Sequence, residues 1–183
     1  MLMYCREQAC LFPTRKRNRL DGYDYSQNGW YFITICVHQR KEVFGNIENE
    51  QMVLNNYGKI VEKCWLEIPL HFKNIAFDEF VVMPNHVHGI IIIENGQNHL
   101  GNRHAYSLQH QKLSVVIGSF KSAVSKHIHR LENAAYFQWQ KSFYDHIVRD
   151  ETPLDNIRKY IKNNPLKWSI DKENEHLDNI DFS

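Results

Sequence analysis

The chain has 183 residues, 43% of them hydrophobic and 13% aromatic, which suits one packed domain with extended ends. No apolar run approaches a membrane span, and the first residues lack a basic-then-apolar leader pattern, so a cytoplasmic protein without a membrane partner is expected. The net charge of +1 hides an asymmetry: five basic residues face one acidic residue in 1–20, while five acidic residues face one lysine in 171–183.

A basic arm on a near-neutral body is compatible with nucleic acid, and equally with a solvated tail. Cys5, Cys10, Cys36 and Cys64 have no metal-type spacing and read as free thiols.

In chain order, residues 30–38 are aromatic and β-branched and predict a strand. Residues 53–68 carry Val53, Tyr57, Ile60, Val61, Cys64, Trp65 and Ile68 at helical spacing, with Pro69 at or just past the end. Residues 74–83 and 86–94 read as two strands joined by a Pro84-Asn85 turn. Residues 95–111 are polar and irregular and read as a mobile loop, with His99, His104 and His110 solvated.

A second helix is expected over 112–131, with Leu113, Ile117, Phe120, Val124 and Ile128 as its stripe. Residues 143–149 predict another strand. The last helix is expected to start with Thr152 as N-cap and Pro153 in its first turn, to bury Leu154, Ile157 and Ile161, and to stop at Pro165. The order β-α-β-β-α-β plus a terminal helix is the α+β, ferredoxin-like split-βαβ pattern: an antiparallel sheet with two helices on one face. The other face is left for a site, and a further helix has to lie across it.

The chemistry concentrates in two places. Side chains alternate along a strand, so His86 and His88 share a sheet face while Val87 points away. Two imidazoles so placed can reach one metal ion. On the terminal helix Tyr160 and Asn164 are four apart and share a face, although Asn164 precedes a proline and is biased away from helical geometry. A tyrosine nucleophile one turn from an oxygen ligand is an efficient pairing. Each residue alone has a blander reading, as a sheet-surface histidine, a packing tyrosine or a helix-terminal asparagine.

The chain resembles the REP-associated tyrosine transposases, within the single-tyrosine HUH transposases and endonucleases. The resemblance rests on Met83-Pro84-Asn85-His86-Val87-His88 and on Tyr160-Ile161-x-Asn163-Asn164-Pro165. It extends to Arg19-Leu20-x-x-Tyr23-Asp24-Tyr25, Tyr31-Phe32-Ile33-Thr34-Ile35 and Tyr144-Asp145-His146-Ile147-Val148-Arg149. It spans about residues 14–168. It implies a basic arm over 1–20, one catalytic domain over 21–168 and an acidic tail over 169–183.

It also implies a metal-dependent enzyme that nicks single-stranded DNA beside a hairpin resembling a repetitive extragenic palindrome. Tyr160 would form a 5′-phosphotyrosine link, and a second strand's 3′-hydroxyl would rejoin the DNA. His86, His88 and Asn164 would hold the metal. Donor type alone permits Zn, Mn or Ni; the resemblance favours Mg or Mn. The protein would act as a monomer or homodimer.

Lys121, Lys126, Arg130, Arg149, Arg158 and Lys159 are candidate phosphate contacts, and Arg15, Lys16, Arg17 and Arg19 in the arm are better ones. Tyr23, Tyr25 and Trp168 are candidate base-stacking residues, and Trp168 equally a core anchor. Tyr144 is the rival nucleophile. Two other functions stay open: a hairpin-binding protein that does not cut, and a small-molecule metal hydrolase drawing on Asp78, Glu79 or Glu94.

Overall fold

The structure, a computed structural model, describes residues 20, 22–95, 111–131 and 136–171. The basic arm up to Arg19, almost all of the 95–111 loop and the acidic tail beyond Asp171 lie outside the described residues. The elements are β1 (Gly29–Cys36), a single 3-10 turn (His38–Arg40), β2 (Gly45–Glu48), β3 (Gln51–Leu54), α1 (Asn56–Leu66), α2 (Ile68–His71), β4 (Ile75–Val82), β5 (His86–Ile93), α3 (Leu113–Ile128), β6 (Tyr144–Val148) and α4 (Glu151–Asp171).

Four strands form one antiparallel sheet in the order β4-β5-β1-β6. This is the expected split-βαβ arrangement, with β1 and β5 central. Strand alternation sorts the side chains into two layers. Tyr31, Ile33, Ile35, Val87, Ile91 and Ile93 face α1 and α3 and build the larger core with Val61, Trp65, Ile117, Phe120 and Val124. Phe32, Ile90 and Val148 face the other way and pack with Leu154, Ile157 and Ile161 of α4. So α4 covers the face that carries His86 and His88.

Three expectations need correction. The helix expected from residue 53 starts at Asn56, because Asn55 caps it: its side-chain oxygen accepts from the N–H of Tyr57 and of Gly58 at 2.9 and 3.0 Å. Val53 belongs instead to the β2–β3 hairpin. α4 begins at Glu151, with Leu154 N–H bonded to the Asp150 carbonyl, so Thr152 is not its cap and Pro153 falls where helix N–H groups have no intrahelical partner.

Pro165 does not stop α4, which continues to Asp171. An interior proline costs about 3 kcal/mol through one lost N–H bond and a ring clash. The turn beyond it brings the Trp168 ring to 5.8 Å from that of His86. Asn164 is therefore helical despite the proline after it, and its spacing from Tyr160 is that of one true turn.

Candidate active site

The tight connection between β4 and β5 is held from outside. The Pro84 carbonyl accepts from Val43 and Phe44 N–H, the Asn85 carbonyl accepts from Val37 N–H, and Met83 N–H bonds to the His86 carbonyl. From this fixed start β5 sends Val87 into the larger core and His86 and His88 to the α4 face, where they are 2% and 3% exposed. Their ring centroids are 4.4 Å apart.

Each ring has one nitrogen engaged by a neighbouring side chain. Asn85 Oδ1 lies 2.6 Å from His86 Nδ1, while the Asn85 amide nitrogen donates to the Arg40 carbonyl at 3.1 Å. The second bond fixes the amide's orientation, so Oδ1 is the atom facing His86 and Nδ1 must carry the proton. The lone pair of His86 is then on Nε2, which is buried with no hydrogen-bond partner among the described residues. For His88, Thr34 Oγ1 meets Nδ1 at 2.8 Å, and Tyr160 Oη meets Nε2 at 3.4 Å.

Burial, then the charge of Arg40, lowers the pKa of His86 to about 3. Burial, then His86, then Arg40 holds His88 well below the ordinary histidine range. Both rings are therefore neutral at physiological pH, the form that ligates metals.

α4 supplies the opposing wall. Tyr160 packs against His88, with ring centroids 5.3 Å apart, and edge-on to Phe32 at 6.1 Å. Trp168, two turns on, lies over His86. Asn164 falls between them on the same helical stripe and is 2% exposed. The donor set fits a divalent cation. It has a bare buried imidazole nitrogen, a second neutral imidazole and an amide oxygen, each of a type that binds metal without first losing a proton. No group of three His, Cys, Asp or Glu side chains is placed to hold a metal among the described residues.

The remaining expected residues separate. Lys121 is on α3, in the layer behind the sheet, and its ammonium donates to the carbonyls of Gln140 and Lys141 at 2.6 and 3.4 Å. Arg158 is likewise committed: Nε donates to Asp78 at 2.9 Å and Nη1 to Asp155 at 2.9 Å. Lys162 pairs with Glu79 at 2.7 Å. These pairs also engage Asp78 and Glu79 at the edge of the sheet, as partners of α4. Lys159, on α4, and Arg149, just past β6, are exposed. Arg15, Lys16, Arg17 and Arg19 lie outside the described residues.

Tyr144 shares the site face, since it is opposite Thr34 across β1 as His88 is on the other side, and it stands 37% exposed. Tyr23 and Tyr25 pack instead around Tyr31 behind the sheet. Trp168 anchors α4 at the site. Thr34, Asn85 and Arg40 were not foreseen as site residues. Asn85 had a signal, its place directly before His86; Thr34 becomes a neighbour of His88 only through strand register.

No protein-family model matches the sequence. Over 166 residues the chain is 42% identical to an uncharacterized protein of Haemophilus influenzae, covering 86% of this chain and 92% of that one. It is 24% identical over 146 residues to a second protein of that organism, named "Putative REP-associated tyrosine transposase", covering 79% of this chain and 74% of that one. Among solved structures, a REP-associated tyrosine transposase bound to a REP hairpin matches with a TM-score of 0.57 and 18% identity over 82% of this chain and 73% of that one, a likeness of fold. Motif order and comparisons agree: the chain has the fold of a REP-associated tyrosine transposase and is similar in sequence to a protein named as one.

Proposed function

We propose that this protein is a metal-dependent single-stranded DNA nicking and strand-transfer enzyme, working beside DNA hairpins through a 5′-phosphotyrosine intermediate. The observation that carries this reading is the stripe Tyr160, Asn164, Trp168 of α4 facing two neutral imidazoles, one with a bare buried nitrogen. The structural neighbour described as bound to a REP hairpin supports the choice of hairpin DNA as substrate.

In this reading Tyr160 Oη attacks the phosphorus. A phosphorus–oxygen bond to tyrosine forms as the bond to the 3′-oxygen breaks. The phenol gives up its proton and the 3′-oxygen gains one. Rejoining is the reverse, with an incoming 3′-hydroxyl as nucleophile, so the bond energy is conserved and no other energy source is required. A divalent cation, Mg or Mn, held by Nε2 of His86 and His88 and by the Asn164 amide oxygen, would supply charge stabilisation at the phosphate and the departing 3′-oxygen.

The mutually stacked rings of Phe32 and His88 both pack against the Tyr160 ring from the sheet side, which fixes its orientation. The Nε2 lone pair of His88 serves one partner at a time. As a metal ligand it is not the base for Tyr160, and the phenol proton leaves by another acceptor.

The test is a covalent-adduct assay. Labelled single-stranded hairpin DNA from the flanks of the protein's own gene is incubated with Mn or Mg and run on a denaturing gel. An adduct lost in Tyr160→Phe and in chelator is expected. Persistence of the adduct in Tyr160→Phe would pass the role to another residue, Tyr144 first. Tight binding with no adduct would favour the hairpin-binding protein that does not cut.

A further inference from the structure

The segment between β1 and β2 is unusual in its backbone. Gln39 and Arg40 are consecutive non-glycine residues with φ of 56° and 50°. L-residues reach this left-handed region at a cost of about 1–2 kcal/mol each, and such strain persists only where surrounding structure imposes it. The imposing contacts are visible. His38 N–H bonds to the Gln138 carbonyl at 2.8 Å, Arg40 N–H bonds to the Val37 carbonyl at 3.0 Å, and Asn85 Nδ2 bonds to the Arg40 carbonyl at 3.1 Å. Asn85 is itself 9% exposed, and its other amide atom holds His86. One buried amide thus ties the strained turn directly to the first imidazole of the site.

The turn carries one strong charge. Arg40 is exposed, and no ion pair engages it among the described residues. Arg158, by contrast, is taken up by three carboxylates. The turn sits beside the site, since the Asn85 amide that donates to the Arg40 carbonyl also holds the His86 ring. A cation beside a site proposed to hold a second cation is unfavourable while the site lacks an anion. A phosphodiester supplies that anion, and the arginine fork matches its oxygens.

We propose that Arg40 is a phosphate-binding residue of this site, presented to the backbone of a single DNA strand by the strained Gln39–Arg40 turn, with Asn85 as the positioning residue that locks the turn to His86. The proposal rests on the reading of the protein as a single-strand nicking enzyme and names one of its substrate contacts.

The sign of two effects tests it. Binding of a fluorescein-labelled single-stranded hairpin oligonucleotide is followed by anisotropy from low to moderate salt, using full-length Tyr160→Phe protein so that no cutting intervenes. In parallel, Mn affinity of the DNA-free protein is measured by calorimetry. Arg40→Gln is expected to weaken oligonucleotide binding roughly tenfold, the scale of a charge-assisted bond, and to lower the salt slope by about one phosphate contact. It is expected to leave Mn affinity equal or higher, because a repelling charge is gone. Arg40→Lys should recover the salt slope and part of the affinity.

If Arg40→Gln binds the oligonucleotide as tightly as its parent, the assignment is overturned. If it loses Mn and DNA affinity together, the turn only shapes the site and the assignment is likewise overturned. Adduct formation by protein with Tyr160 intact judges the nicking reading separately: binding that depends on Arg40 without any adduct removes the nicking chemistry and keeps the phosphate contact. Absence of any binding removes both.

Discussion

Thr34 Oγ1 lies 2.8 Å from Nδ1 of His88, across the β1–β5 pair, and so leaves the ring's other nitrogen turned toward α4. A side-chain oxygen on the far nitrogen of a ligating histidine sets its tautomer and orientation, and losing one typically costs about 10–100-fold in metal affinity. Thr34→Val keeps the shape and removes the oxygen. It is expected to weaken Mn binding within that range and, by leaving Nδ1 of a buried ring unpartnered, to lower stability by about 1–3 kcal/mol. Unchanged Mn affinity by calorimetry would show that the Thr34 hydroxyl does not orient a ligand.

Gly89 follows the second histidine for a steric reason. A Cβ placed there would sit 2.3 Å from Trp65 Cζ2 and 2.8 Å from Cη2. Trp65 is fully buried against Phe80 and Phe120 and has no room to retreat. Gly89→Ala is expected to cost about 1–3 kcal/mol, the range for overpacking, read from urea unfolding. It should also disturb His88 next to it, seen as a changed imidazole signal in NMR. A midpoint equal to wild type would mean that the Trp65 ring moves freely.

The β2–β3 hairpin turns through Asn49 and Glu50, both with positive φ, 49° and 62°. Asparagine tolerates that geometry; glutamate does so only under strain. Glu50→Gly creates the favoured Asn-Gly turn and is expected to stabilise the protein by roughly 1 kcal/mol. A lower midpoint in thermal unfolding would count against this account of the turn.

The two buried imidazoles give the metal-free protein a defined acid sensitivity. The pKa of His86 is lowered in the folded state to about 3, first by burial and then by Arg40, against an ordinary value of 6.5. The unfolded chain therefore binds the proton more readily. The stability this ring allows is fully present above pH 6.5 and falls as the pH drops from there toward 3. His88 is shifted in the same direction. Urea midpoints of chelator-treated protein should hold steady from pH 8 to 7 and decline between pH 6 and 5, where few carboxylates titrate. His86→Gln should flatten part of that decline; an identical slope in the variant would contradict it.

Much of this was legible in the sequence, for reasons that can be named. Val87 between His86 and His88 in an apolar run left little choice of face, so the alternation held. The helical spacing of Leu113, Ile117, Phe120, Val124 and Ile128 gave α3 with small errors at its ends. The misses came from tertiary context. The β2–β3 hairpin lacks the glycine that marks such turns, and its alternation is only partly buried. Pro165 reads as a stop until Trp168 is seen packed on His86. Arg158 reads as a surface charge until Asp78, 80 residues away in sequence, meets it. Thr34 and Arg40 join the site through register and a braced turn, neither of which local pattern contains.

The ion pairs at the sheet edge bear on how a DNA end would be handled. Arg158 and Lys162 fasten one side of α4 to Asp78 and Glu79, within the stretch where the β4 register shifts, and these four residues belong to the same polypeptide as the two imidazoles. Tyr160 and Asn164 ride on that fastened helix, so under the proposed chemistry a strand joined to the tyrosine would stay moored beside His86 and His88. Under the proposed chemistry, exchange of one strand for another would then fall to the DNA, which would have to bring its new 3′ end to the tyrosine.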